Sequence, residues 1–186
     1  PDPLIETKVN HVDMEKEQIA IYLGGNLPGS ANEDAVAISV ATTILSNRLY
    51  LNLREKQGLA YSTGAGAALD KDFGWFYTYI STGSDNYQTA LDGLLLQTDK
   101  LRLDGPTPDE VASAKNQLLG SRMRARLSST NQAYYLGVYE YLGRDLGYES
   151  EFLTNLAAVD AAAVRRAASK YFRTDAYVLA TAGKKP

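Results

Sequence analysis

The run Arg54-Glu55-Lys56-Gln57-Gly58-Leu59-Ala60-Tyr61 sets a guanidinium and a phenol seven residues apart across a glycine. The chemistry open to such a pair is recognition of a peptide carbonyl. Arginine presents five N–H donors in a rigid fork, and tyrosine adds one O–H. What the chain lacks closes other chemistry to it. His11 is the only histidine, and there is no cysteine. Zinc peptidase motifs of either orientation need two histidines on one helical face, which this chain cannot supply. His11 lies in Val9-Asn10-His11-Val12-Asp13-Met14-Glu15, where the glutamate spacing fits neither motif; a lone surface histidine is expected. Disulfides, thiolate metal sites and thiol nucleophiles are excluded with cysteine.

Several elements must position the pair. Ser30 and Glu33 have capping-box spacing, so a helix is expected to start there. Apolar Val36, Ile38, Val40, Ile44, Leu45, Leu49 and Leu53 carry it to about Lys56, and Gly58 is placed to end it. Gln18 to Leu23 reads as a buried strand before that helix, and Gly24 to Gly29 as a turn-rich loop. Ala60 to Leu69 and Gly74 to Thr82 read as two strands joined by a turn at Asp70-Lys71-Asp72. Trp75, Tyr77 and Tyr79 alternate onto one face of the second. Tyr87, Leu91, Leu94, Leu95, Thr98 and Leu101 mark an amphipathic helix with Asp85 as its expected N-cap, broken at Asp104-Gly105-Pro106. Thr107-Pro108-Asp109-Glu110 is a capping Thr, a first-turn Pro and an acid three residues on, opening a helix to about Arg126. Helices over Asn131 to Leu142, Glu149 to Leu156 and Asp160 to Phe172 follow, and Asp175 to Ala182 closes as a strand. Residues 1–16 form an edge strand or linker.

Partial segregation of strands and helices argues α+β, an antiparallel or mixed sheet packed against helices. The 186 residues fit one domain spanning 1–186, with 45% hydrophobic and 22% charged residues. A net charge of −3 and no basic arm argue against nucleic acid as a partner. No apolar run approaches the roughly 18 residues of a membrane helix. Pro1-Asp2-Pro3 reads as the cut end of a longer protein or an engineered boundary.

From pattern alone the Arg54–Tyr61 run has two accounts. Arg54 and Lys56 in a last helical turn complement the helix dipole, and a strand then starts at Tyr61. The other account is the carbonyl-binding pair. Leu45-Ser46-Asn47-Arg48-Leu49-Tyr50, followed by Leu53-Arg54-Glu55-Lys56-Gln57-Gly58-Leu59-Ala60-Tyr61-Ser62, resembles the pitrilysin/insulinase family of zinc peptidases, which includes the mitochondrial processing peptidases. Gly105-Pro106-Thr107-Pro108-Asp109-Glu110-Val111 with Ala114-Lys115-Asn116-Gln117-Leu118 adds to the resemblance. The resemblance implies a processing-peptidase-like fold and the non-catalytic half of a two-part enzyme. It implies Arg54 and Tyr61 as substrate-binding residues, no catalytic residue and no metal in this chain, and zinc in a homologous His-x-x-Glu-His partner, in cis or in trans. Some relatives of that family suggest a bacterial cytoplasm or periplasm. The alternative it leaves is a proteolytically inactive scaffold subunit of a larger complex.

The remaining clusters read as structural. Asp109 and Glu110 are accounted for by the capping box. Gly64-Ala65-Gly66 lacks the third glycine and the following helix of a dinucleotide site, and fits close backbone approach within a sheet. Gly24-Gly25-Asn26 reads as an ordinary loop. Tyr135 and Tyr139 are expected in the core, Tyr134 and Tyr141 outside it. Arg122, Arg124 and Arg126 are expected at a solvated helix end. Trp75-Phe76-Tyr77 fits sheet packing better than a peptide groove.

Overall fold

Alternation of apolar residues along two long strands sets the sheet. In the computed structural model, which describes residues 4–184, β2 (Gln18–Pro28) buries Ile19, Ile21, Leu23 and Leu27, and β4 (Phe73–Gly83) buries Phe76, Thr78, Ile80 and Thr82. The two pair antiparallel over their full lengths, Gln18 opposite Gly83 and Pro28 opposite Phe73. β3 (Ser62–Leu69) adds antiparallel to β4. β5 (Val178–Gly183) adds antiparallel to β2, and β1 (Lys8–Asp13) parallel to β5. The sheet is therefore mixed, with strand order β1-β5-β2-β4-β3.

Six helices accompany the sheet: α1 (Ala35–Leu49), α2 (Tyr87–Leu103), α3 (Pro108–Ala125), α4 (Ser129–Tyr141), α5 (Tyr148–Ala158) and α6 (Ala161–Tyr171). The core joins the inward faces of β2 and β4 to α1, α2 and α6, through Ile38, Leu45, Leu49, Leu94, Val164 and Phe172 among others. Phe76 and Phe172 stack there with ring centroids 4.5 Å apart. Tyr22, Tyr77 and Tyr79 occupy the other face and pack on one another. This is the expected α+β architecture.

Several expectations are corrected. The segment from Gly24 is strand, not loop: Gly24 to Pro28 continue the ladder with β4. A Cβ on Gly24 would stand 2.2 Å from the Phe76 carbonyl oxygen, so glycine here serves a close strand approach rather than a turn. Ser30 and Glu33 do not cap α1. The Ser30 N–H donates to the Asp70 carbonyl (2.7 Å), and α1 starts at Ala35. Asp34, at the N-cap, makes no side-chain cap bond; its carboxylate accepts from Lys170 (3.0 Å) and the Tyr171 hydroxyl (2.9 Å) of α6. A 3₁₀ turn, Ser84–Asn86, precedes α2, so Asn86 rather than Asp85 is its N-cap. Residues 1–3 lie outside the described residues, and β1 answers the reading of the N-terminal segment as an edge strand.

The α3 capping box forms as expected: Thr107 Oγ1 accepts from the Glu110 N–H (3.2 Å), and Glu110 Oε2 accepts from the Thr107 N–H (2.8 Å). Glu110 has a second role. Arg48 of α1 forks onto it, Nε to Oε1 at 2.6 Å and Nη2 to Oε2 at 2.8 Å. Hydrogen bonding to Arg48 holds the Glu110 carboxyl below its ordinary value of 4.5. A depressed folded value means stability that is full above 4.5 and lost as pH falls through the folded value. Glu110→Gln keeps an N3 side chain suited to the box but removes the titration. Urea unfolding followed from pH 7 to pH 3 should give this variant a shallower acid limb than the parent.

Candidate functional site

Ala41, Leu45, Leu49 and Leu53 recur every fourth residue, and all four are fully buried. In an α-helix of 3.6 residues per turn, each fourth residue drifts by about 40° around the axis. The helix is buried over an arc wide enough to take that drift, with Ile38, Val40 and Ile44 also in the core. Beyond Leu49 the helix opens into a π turn, Tyr50–Glu55, and the Lys56 N–H reaches back five residues to the Leu51 carbonyl (3.0 Å). With Leu53 held inward, Arg54 faces solvent.

The chain then reverses at Gly58, whose φ is +60°. The Gly58 N–H donates to the Arg54 carbonyl (3.0 Å) and the Leu59 N–H to the Leu53 carbonyl (2.9 Å). Buried Thr82 of β4 donates its hydroxyl to the Leu59 carbonyl (2.6 Å), and the Tyr61 N–H donates to the Ser81 carbonyl (2.9 Å). The reversal is thus tied to the end of β4 while the Tyr61 side chain stays 64% exposed. The Arg54 guanidinium lies over the Tyr50 ring, 5.2 Å from its centroid. Such a contact at an exposed site stabilises by about 0.5–1 kcal/mol. Among the described residues no hydrogen bond joins Arg54 to Tyr61. The structure places both predicted site residues on one solvent-facing turn, with donors directed to neither each other nor the core.

Sequence reasoning missed the parts that hold this turn. Asn52 donates its amide to the Arg48 carbonyl (2.8 Å) and to Gln97 Oε1 (3.3 Å), and accepts from Lys56 Nζ (3.2 Å).

Other candidates fall elsewhere. His11 is half-buried rather than fully exposed: its Nδ1 hydrogen-bonds Thr181 Oγ1 (2.7 Å), and its Nε2 is buried without a partner. The cause is register, since His11 pairs with Thr181 and shares its inward face. Arg122 and Arg126 are not a solvated end. One turn apart, Arg122 on α3 and Arg126 at its C-cap both reach Glu149 (2.8 and 3.1 Å), and Arg122 lies 3.7 Å from the Phe152 ring centroid. Tyr139 is buried beside them and Tyr134 and Tyr141 are exposed, as expected, whereas Tyr135, expected in the core, is half-buried with the Arg126 guanidinium 4.1 Å from its ring centroid. Trp75 is exposed and packs on Phe73, while Phe76 is core. Among the described residues no group of three His, Asp or Glu side chains could hold a metal ion; the residues present do not fit a zinc site. Among the same residues no helix is long and apolar enough to cross a membrane.

Comparison with known proteins bears on the family and the fold. The family model described as the peptidase M16 inactive domain matches residues 1–118. An uncharacterized zinc protease of Bacillus subtilis, YmxG, is 29% identical over 170 residues, covering 89% of this chain and 41% of that protein. The chain therefore spans less than half the length of this relative. A crystal structure titled as the peptidase M16 inactive domain from Pseudomonas fluorescens superposes with a TM-score of 0.89 at 23% identity, covering all of this chain and 45% of that one. The ferredoxin protease FusC, in complex with Arabidopsis ferredoxin, superposes with a TM-score of 0.74 at 18% identity, covering 97% of this chain and 20% of that one. These two superpositions bear on the fold.

The reversal at Gly58 offers a direct test of the local geometry. A Cβ at Gly58 would meet nothing within 4 Å, so only its positive φ resists substitution. Gly58→Ala should lower unfolding free energy by about 1–2 kcal/mol, and Gly58→Asn by less, because Asn visits the left-handed region more readily. Urea denaturation of the two variants checks the order.

Proposed function

The chain belongs to the peptidase M16 inactive-domain family, and from that membership we propose that it is the zinc-free, substrate-binding half of a two-part zinc metallopeptidase. The homologous partner half, on the same polypeptide or another, carries the zinc and its ligands. This half grips the peptide.

The observation that carries the reading is the turn bearing Arg54 and Tyr61. Both side chains are exposed, on a turn fixed at each end by backbone bonds to buried elements. Neither is used inside the domain beyond the shelf that Tyr50 gives Arg54. A fork of N–H donors and a phenol on a rigid reversal suit the carbonyl oxygens of an extended peptide. Donors held in advance at a carbonyl that gains negative charge stabilise the transition state without reorganising when it forms. Arg54 therefore supplies charge and two-point geometry, and Tyr61 supplies one neutral hydrogen bond. The ferredoxin protease, held in complex with ferredoxin and sharing this fold, supports a role beside a protein substrate.

The test is peptidase activity of the chain mixed with its zinc-bearing half, each also assayed alone, with and without a chelator. Chelator-sensitive cleavage should emerge only in the mixture. Arg54→Ala and Tyr61→Phe should each lower kcat/KM by roughly 10²–10³-fold, with the thermal midpoint of this domain unchanged in Tyr61→Phe and lowered by no more than about 2–4 °C in Arg54→Ala, which loses the Tyr50 contact. A stable mixed complex without activity would move the assignment to a scaffold subunit. Full activity in both variants would remove the substrate-binding role from this turn.

A further inference from the structure

Resting on that reading, we propose that Asn52 and Gln97 are positioning residues for Arg54, holding the π turn in the register that aims the guanidinium at the substrate. The inference starts from a conflict of local preferences. π winding is rare and generally limited to single turns inside α-helices, so something must hold it at Tyr50–Glu55. Two contacts to α2 do so. Leu53 inserts against Gly93, where a Cβ would stand 2.7 Å from Leu53 Cδ2. One turn further along α2, and so on the same face, Gln97 presents its side-chain oxygen to the Asn52 amide (3.3 Å). Gln97 is only 6% exposed, so its polar head sits inside the helical layer, where an unpaired amide would be unfavourable.

The Asn52 amide also donates to the Arg48 carbonyl (2.8 Å), a side chain replacing part of the ladder that the change in winding disturbs. Asn52 thus joins three pieces: the end of α1, the interior of α2 through Gln97, and Lys56 beyond the turn. Arg54 lies between Asn52 and Lys56. Should the segment relax to α winding, a one-residue slip would rotate its side chains by about 100° and advance them about 1.5 Å. Arg54 would then leave the shelf of Tyr50. The leucine contact sets which residue is buried; the Asn52–Gln97 bond sets the hydrogen-bonding register around it.

A double-mutant cycle in the chain paired with its zinc-bearing half tests this. Gln97→Leu removes the acceptor and keeps the volume. It should lower kcat/KM by about tenfold to a hundredfold in the parent background. In the Arg54→Ala background it should change activity by less than about twofold, because a residue acting through Arg54 has nothing left to act on. Amide exchange at Lys56, whose N–H makes the five-residue bond, should quicken in Gln97→Leu. A loss of equal size in both backgrounds, or no loss while Arg54→Ala alone is impaired, would overturn the proposal and leave the substrate-binding reading intact. Unimpaired Arg54→Ala would overturn both. Asn52→Ala, altering a half-exposed residue, carries the same cycle and the same outcomes if Gln97→Leu fails to fold.

Discussion

Four buried residues spaced by four along one helix form the constraint on which the rest of this domain turns. Ala41, Leu45 and Leu49 reach the core from regular α-helix, and Leu53 reaches it from the turn that follows. The chain opens into a π turn at its end, and that choice decides which neighbour faces out. Leu53 goes in and Arg54 goes out, Gly58 reverses the chain, and Tyr61 begins the approach to β3. A hydrophobic requirement inside the domain thereby places a cation and a phenol on its outside.

The same helix organises the polar ties of the helical layer. Arg48 sits one turn before Asn52. Its side chain joins the capping box that starts α3 and donates to the Gly105 carbonyl (2.9 Å), while its own carbonyl accepts from Asn52. At the other end of α1, Asp34 leaves its own helix uncapped to bond Lys170 and Tyr171 of α6. Carboxylates held in charge-assisted bonds of this kind orient helices more than they stabilise them, since partly exposed ion pairs contribute little net free energy. Their effect is to fix α1, and so the turn at its end, against α3 and α6.

Much of this was legible from residues alone. Alternation found β4, the Thr107 box found α3, and glycine after a leucine-rich helix found the reversal at Gly58. The losses have physical causes. Gly24 and Gly25 signal a turn by type, yet both lie in a strand, Gly24 against the partner strand's backbone and Gly25 against the Phe76 ring, and only the partner strand shows this. Ser30 and Glu33 match a cap, but the Ser30 backbone is claimed by Asp70 and Arg144 instead, and the helix starts five residues later. Arg122 and Arg126 look like a solvated pair until Glu149 and Phe152, distant in sequence, close over them. Of the candidate site, the two exposed residues were visible because their types and spacing carry the resemblance. Gln97 was not, because a single glutamine on an amphipathic helix has no local signature.

What remains to be seen is the turn meeting a peptide. A photo-crosslinking residue in place of Tyr61, in the domain paired with the zinc-bearing half proposed for it and given a slowly cleaved peptide, reports that contact directly. The account predicts crosslinks to peptide residues within one or two positions of the scissile bond. Crosslinks spread along the peptide, or confined to the partner half, would contradict it.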